Sequence, residues 1–158
     1  MGGRGQHLHR MDGQIKPKYY QAVGGFRVGN QSVKVLEPKE GEKGKANGLP
    51  AYSNSRNSIY ASVDHTTGTL ERIRFFDENH KAKLDIEIHN EGKLGIILHS
   101  HEIDFEKGVP GKKKKTGRGP ATELTPEIRT QFREYIALLG KVPREESNWM
   151  ERTERKEG

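Results

Sequence analysis

The chain has 158 residues, of which 30% are hydrophobic and 32% are charged, and its formal net charge is +6. This length suits one domain, and the low hydrophobic content indicates a small core with polar flanking segments. The absence of cysteine excludes disulfides, cysteine-ligated zinc and thiol nucleophiles. The sequence shows neither a signal peptide nor the roughly 20 apolar residues that span a bilayer, so we expect a cytoplasmic protein with no membrane partner.

Composition along the chain predicts three segments. Residues 1–30 are rich in glycine and basic residues and are predicted as a flexible basic segment. Residues 31–140 are predicted as a single α+β domain with a basic loop at 106–122, and residues 141–158 as a charged tail. The positive charge favours an anionic partner, of which nucleic acid is the usual one.

The domain is predicted as a small antiparallel β-meander of four or five strands. Short β-prone runs, several with alternating apolar and polar residues, mark strands at 31–36, 59–64, 70–76, 82–89 and 95–103. In the run AKLDIEIH at 82–89 the apolar residues occupy every second position, so one face of this strand is apolar and the other is charged.

One hairpin decides which residues share the charged face. Asn90-Glu91-Gly92 suits a three-residue loop closed by glycine, after which odd-numbered positions of the two strands lie opposite one another. A slip of one residue would turn the second strand over. In the predicted register one face collects two arginines, two carboxylates and three histidines: Arg72, Arg74, Asp85, Glu87, His89, His99 and His101.

A single helix is predicted at 126–139. Thr125 is its N-cap, Pro126 occupies the first helical position, and Gly140 and Pro143 end it. Its apolar stripe comprises Ile128, Phe132, Tyr135, Ile136 and Leu139. We expect this stripe to pack on the apolar sheet face, which comprises Ile73, Phe75, Leu84, Ile86 and Ile88.

The charged face has the residue types that RNA cleavage requires. Attack by the 2′-oxygen needs a base, an acid for the leaving 5′-oxygen and a cation for the phosphate. His99 and His101, with His89 close by, could exchange the protons, because imidazole titrates near neutrality. Glu87 or Asp85 could orient an imidazole. Arg74 or Arg72 could bind the phosphate through its guanidinium.

Two other interpretations of this face stay open. The arginines and carboxylates could form a solvated ladder of cross-strand ion pairs. His99-Ser100-His101 is also an H-x-H element, in which two histidines on one strand face could share a metal with a third ligand from a neighbouring strand. The catalytic hypothesis requires no metal and no cofactor.

The predicted basic loop carries a run of four lysines, Lys112-Lys113-Lys114-Lys115. Such a run can bind a phosphate backbone without reading sequence, and it can equally serve only to keep a loop solvated.

Parts of the sequence resemble known proteins. The opening Met1-Gly2-Gly3-Arg4-Gly5 is similar to the start of small proteins of phages and prophages of Gram-positive bacteria. About residues 49–104, with a turn at 77–79 and a histidine-bearing strand at 98–101, resemble polymorphic-toxin modules of the barnase–EndoU–colicin–RelE-like ribonuclease group. The resemblance implies a small antiparallel sheet with packed helices and metal-independent RNA cleavage. The resemblance implies functional roles for His89, His99, His101 and Arg74.

The leading hypothesis is therefore a phage-encoded, RNA-directed protein that acts as a metal-independent endoribonuclease in the bacterial cytoplasm or with the virion. The alternative is a non-catalytic phage accessory protein that binds a virion component, nucleic acid or a host defence protein.

Overall fold

The computed structural model describes residues 20–38, 49–64, 66–90, 96–104 and 118–151. Within these ranges the chain forms one seven-stranded sheet in the order β6-β5-β4-β3-β2-β1-β7. All neighbouring strands are antiparallel except β2 and β3, which are parallel. The strands are β1 (Tyr20–Val28), β2 (Gln31–Pro38), β3 (Ile59–Val63), β4 (Leu70–Phe76), β5 (Ala82–Asn90), β6 (Ile96–Glu102) and β7 (Met150–Glu151).

The predicted mixed α+β class agrees with this sheet, but the predicted count of four or five strands is too low. The five predicted strands are present as β2 to β6. Strand β1 lies within the range predicted to be flexible, and β7 lies within the predicted charged tail. In β1 the alternation is interrupted by Gly24-Gly25 and by a register shift between Ala22 and Gly24, so it gives a weak strand signal. Strand β7 has only two residues, which is too short for an alternation of apolar and polar residues to be recognised.

Gly24 allows the C-terminal strand to approach β1 closely. It pairs with Glu151, and a Cβ at Gly24 would clash with the Trp149 ring and lie 2.7 Å from the Met150 carbonyl oxygen. The missing side chain therefore provides the space for Trp149, which packs against the main apolar core.

The predicted helix begins as expected but is interrupted. The Thr125 hydroxyl accepts a hydrogen bond from the Ile128 amide at 3.1 Å, and Pro126 opens the helix. Phe132 (φ −109°, ψ 24°) divides the segment into α1 (Pro126–Gln131) and α2 (Arg133–Ile136). The prediction of one helix over 126–139 is therefore wrong. No glycine or proline lies near residue 132, so the sequence gives no sign of this break. Gly140 follows with a positive φ of 87°.

The two helices cover the apolar face of the sheet, as predicted. Phe75 on β4 contacts Phe132 and Tyr135, with ring centroids 4.7 and 5.1 Å apart. The predicted sheet residues and the helical stripe all belong to one hydrophobic core cluster. The opposite face of the sheet carries the charged residues. No helix among the described residues is long and apolar enough to cross a membrane.

Candidate functional site

The strand register places the predicted charged residues on one face of the sheet. Asp85 pairs with His101 and Glu87 pairs with His99, as odd-to-odd pairing predicts. The preceding hairpin sets Arg72 opposite Glu87 and Arg74 opposite Asp85. Strand β5 continues to Asn90, which pairs with Ile96, so the connection is residues 91–95 rather than 90–92. The predicted three-residue loop and the observed five-residue connection both contain an odd number of residues. Either one therefore leaves the same side chains on the same face.

This charged face is buried, and the expectation of a solvated surface is wrong. The side chains of Arg74, Asp85 and Glu87 are at most 4% exposed. His99 and His101 are also buried. Together with Arg72 and Arg118 these five residues form what we call the charged cluster. Its arginines and carboxylates do pair across strands, but they do so inside the protein, where an ionic group that loses its partners is costly.

Glu87 lies at the centre of the charged cluster, and its two oxygens have different partners. Oε1 accepts hydrogen bonds from Nε of Arg72 and Nη2 of Arg118, each at 2.6 Å. Oε2 lies 3.0 Å from Nε2 of His99 and 3.3 Å from Nε2 of His101. One carboxylate therefore connects two arginines on one side with two imidazoles on the other.

Asp85 and Arg74 form the second part of the charged cluster. Arg74 donates from Nε and Nη2 to the two Asp85 oxygens at 2.7 and 2.8 Å, in a bidentate pair. Nη1 of Arg74 donates to the carbonyl oxygens of Leu49 and Pro50 at 2.8 and 3.1 Å. Asp85 also accepts a hydrogen bond from Nε of Arg118 at 2.9 Å. Four described contacts thus hold the Arg74 guanidinium within the protein.

The electrostatics keep both carboxylates ionised. Burial alone would raise the pKa of Glu87, but His101, Arg72 and Arg118 hold that pKa well below its usual range. Burial would also raise the pKa of Asp85, but the pKa is lowered by Arg74, Arg72 and Arg118. With neutral imidazoles, three arginines face two carboxylates, so the charged cluster has a formal surplus of one positive charge.

The two histidines lie next to each other. Their ring centroids are 4.9 Å apart and the rings are nearly perpendicular. Nδ1 of His101 lies 2.8 Å from the Gly119 carbonyl oxygen. A carbonyl only accepts, so Nδ1 carries a proton and Nε2 is the atom directed at Glu87. Nε2 of His101 is buried and has no hydrogen-bond partner of acceptable geometry, although Glu87 lies at ion-pair distance.

Other predicted site residues are only partly described. His89 belongs to β5 and pairs with Ile97, which puts it on the odd-numbered side, but its side chain lies outside the described part of the structure. The lysine run 112–115 also lies outside the described residues. The roles predicted for these residues stay predictions.

Arg118 is the cluster residue that the sequence did not single out. It is the last basic residue of the predicted loop at 106–122, and its backbone forms a bridge with Ile103 just beyond β6. Its side chain is 27% exposed, compared with 16% for Arg72, so it lies at the edge of the charged cluster. The available signal was its place as the last basic residue before Gly119-Pro120, where the chain returns to the sheet.

A groove of about 470 Å³ lies elsewhere, beside β1, β2 and β3. Its lining includes Arg27, Lys34, Tyr60 and the exposed Met150, and it contains no residue of the charged cluster. Tyr60 is itself buried, and its ring packs on Phe76 with centroids 4.9 Å apart.

Comparison with known proteins gives no relative for this chain: no family model, no curated protein and no solved structure matches it. The charged cluster and the chemistry of its side chains are therefore the main guide to what this protein does.

Proposed function

We propose that this protein acts on RNA, and that the charged cluster cleaves it without a metal ion. The observation that carries the proposal is the position of the two imidazoles. His99 and His101 both approach one oxygen of Glu87, at 3.0 and 3.3 Å, and two groups that share one oxygen are close enough to serve one phosphate. A phage origin and a relation to ribonuclease toxin modules, which the sequence resemblance implies, are part of the same proposal.

In the proposed reaction, Nε2 of His101 takes the proton of the RNA 2′-hydroxyl. The 2′-oxygen forms a bond to phosphorus, the bond from phosphorus to the 5′-oxygen breaks, and protonated His99 gives its proton to that 5′-oxygen. The products are a 2′,3′-cyclic phosphate and a 5′-hydroxyl. Glu87 orients the His99 imidazole, and the Gly119 carbonyl orients the His101 ring and holds its tautomer.

The arginines have separate roles in this proposal. Arg118 and Arg72 are the more exposed, so they are best placed to exchange carboxylate oxygens for phosphate oxygens when RNA enters. Arg74, which the sequence suggested as a phosphate ligand, is here a positioning residue, because it binds Asp85 and two backbone carbonyls. The lysine run 112–115 supplies attraction to the RNA backbone that is independent of sequence.

One observation favours a second candidate. Each arginine of the charged cluster has a carboxylate partner, and a network satisfied in this way can serve as a polar core. The protein would then be a non-catalytic binder of nucleic acid or of a phage or host protein. This candidate predicts RNA binding without cleavage.

The test is incubation of the purified chain with total RNA in EDTA, beside two double variants purified identically. His99→Ala/His101→Ala removes both imidazoles. His99→Gln/His101→Asn removes them too, but it retains a side-chain amide near Nε2 of His99 and near Nδ1 of His101. We expect cleavage by the native chain and a loss of at least about 100-fold in both variants. No cleavage by the native chain, or equal cleavage by the variants, would overturn the proposal.

A further inference from the structure

The charged cluster contains a set of atoms suited to a transition-metal ion. One imidazole nitrogen each from His99 and His101 and a carboxylate oxygen of Glu87 all lie within 4.8 Å of one another. Ligands bound to tetrahedral zinc at about 2.0–2.2 Å are roughly 3.3 Å apart. The two imidazole nitrogens lie 3.0 and 3.3 Å from the Glu87 oxygen, so little movement would bring these ligands around a shared ion.

His101 provides an independent observation. Its Nδ1 donates to the Gly119 carbonyl, which directs Nε2 into the protein, where that nitrogen is buried without a hydrogen-bond partner. Histidines that bind metals characteristically donate their other ring N–H to a backbone carbonyl or carboxylate. A metal ion would satisfy a buried nitrogen that the protein otherwise leaves without a hydrogen bond.

Glu87 is held in a manner that suits a ligand bound through one oxygen. Oε1 is taken up by Arg72 and Arg118, and this leaves Oε2 directed at the histidines. Hydrogen bonds of this kind to a ligating carboxylate fix its orientation. Three nearby arginines oppose a cation, and the two carboxylates offset part of that repulsion.

We propose that Glu87, His99 and His101 form a binding site for a zinc ion. Two imidazole nitrogens and one carboxylate oxygen suit zinc, whereas magnesium and calcium prefer oxygen ligands. Three protein ligands leave a fourth position open, and the arginine surplus favours an anion there. Binding itself does not depend on RNA cleavage. One consequence does rest on the proposed function: a zinc ion on both Nε2 atoms would block proton transfer and inhibit cleavage.

The test is calorimetric titration of the full chain, freed of metal with EDTA and desalted, with zinc chloride and in parallel with magnesium chloride. We expect binding of one zinc ion per chain and no binding of magnesium. His101→Asn keeps a donor for the Gly119 carbonyl but has no Nε2. His99→Gln keeps a donor for Glu87 but has no imidazole. Each should weaken zinc binding at least about tenfold.

The matched control is His7→Ala/His9→Ala, because His7-Leu8-His9 has the same H-x-H spacing elsewhere in the chain. This control should bind zinc like the native protein. No zinc binding by the native chain, unchanged binding by the cluster variants, or loss of binding in the control would overturn the proposal.

Circular dichroism establishes whether each variant is folded. If the cluster variants unfold, imidazole ¹H–¹⁵N spectra of the native chain decide the matter, since zinc must shift Nε2 of two histidines there. Spectra that zinc leaves unchanged would contradict the site. If zinc binds but the apo chain does not cleave RNA, the proposed function is wrong and the zinc site is retained.

Discussion

The two faces of the sheet are both buried, but by different interactions. One face packs on α1 and α2 through aromatic and aliphatic side chains such as Phe75 and Phe132. The other encloses arginines, carboxylates and histidines that are linked by hydrogen bonds and ion pairs. Apolar packing depends on volume and tolerates conservative change, whereas a buried ionic network depends on every partner being present.

This difference bears on function. Replacing a buried ionic network with apolar residues often leaves stability unchanged or improves it. A chain that is only 30% hydrophobic nevertheless buries arginines, carboxylates and histidines on this face, beside a small apolar cluster that includes Leu36, Tyr60 and Phe76. Reactive groups need such surroundings, because a buried, prearranged set of dipoles and charges stabilises the transition state of a reaction. The apolar face therefore holds the fold together, and we propose that the charged face carries the chemistry.

Removal of one ionic partner should have one of the two largest effects on stability. Asp85→Leu leaves Arg74 buried without its carboxylate and should lower the free energy of unfolding by about 3–5 kcal/mol. The double variant Arg74→Met/Asp85→Leu removes both charges and should recover most of that loss. Urea unfolding measures both. A double variant that is less stable than Asp85→Leu alone would show that the pair does not behave as a unit.

On the apolar face, a second substitution should add to the loss of stability, whereas on the charged face it should reverse it. Phe75→Ala removes a buried ring that contacts Phe132 and Tyr135 and should cost about 3–5 kcal/mol. Adding Phe132→Ala should lower stability further, because the second deletion enlarges the cavity. Recovery of stability in Phe75→Ala/Phe132→Ala would remove the distinction between the two faces.

Acid should weaken the charged face selectively. The pKa values of Asp85 and Glu87 are lowered in the folded chain, so the unfolded chain takes up protons first as the pH falls. The stability from these carboxylates is complete above about pH 5 and is lost progressively below about pH 4. Urea unfolding in EDTA between pH 7 and pH 3 should show a smaller decline for Arg74→Met/Asp85→Leu than for the native chain. Equal declines would mean that other groups govern acid unfolding.

A smaller effect is expected at the sheet edge. Gly24→Ala introduces a Cβ that clashes with Trp149, and overpacking of this kind costs about 1–3 kcal/mol. Trp149 is the sole tryptophan, so its fluorescence reports displacement of the C-terminal strand. In the background of Trp149→Ala the same substitution should cost less. An unchanged emission spectrum in Gly24→Ala would contradict the close approach.

Local patterns were sufficient to predict part of this molecule. Alternation placed β4 and β5, and the parity of the connection after His89 put His99 and His101 on the face of Glu87. Thr125 and Pro126 placed the start of the helical segment. Each of these features depends on neighbouring residues and therefore leaves a mark in the sequence.

Features that depend on distant contacts were not predictable. Strand β1 is completed by pairing with β2 and β7. Its two adjacent glycines are typical of a loop in the sequence, and only the contact of Gly24 with Trp149 explains them in a strand. Arg118 reaches Asp85 and Glu87 across 33 and 31 residues of sequence. The burial of the charged face was missed for the same reason, since alternation shows that two faces differ and does not show what covers each of them.

The most direct test of the central claim is the chemistry of the RNA ends. A short end-labelled RNA is incubated with the native chain in EDTA, beside the same RNA carrying a 2′-deoxy sugar at the cleavage position. We expect a 2′,3′-cyclic phosphate and a 5′-hydroxyl from the first RNA, no cleavage at that position in the second, and no cleavage by His99→Gln/His101→Asn. No cleavage at all, a 5′-phosphate product, or cleavage that survives the 2′-deoxy substitution would contradict it.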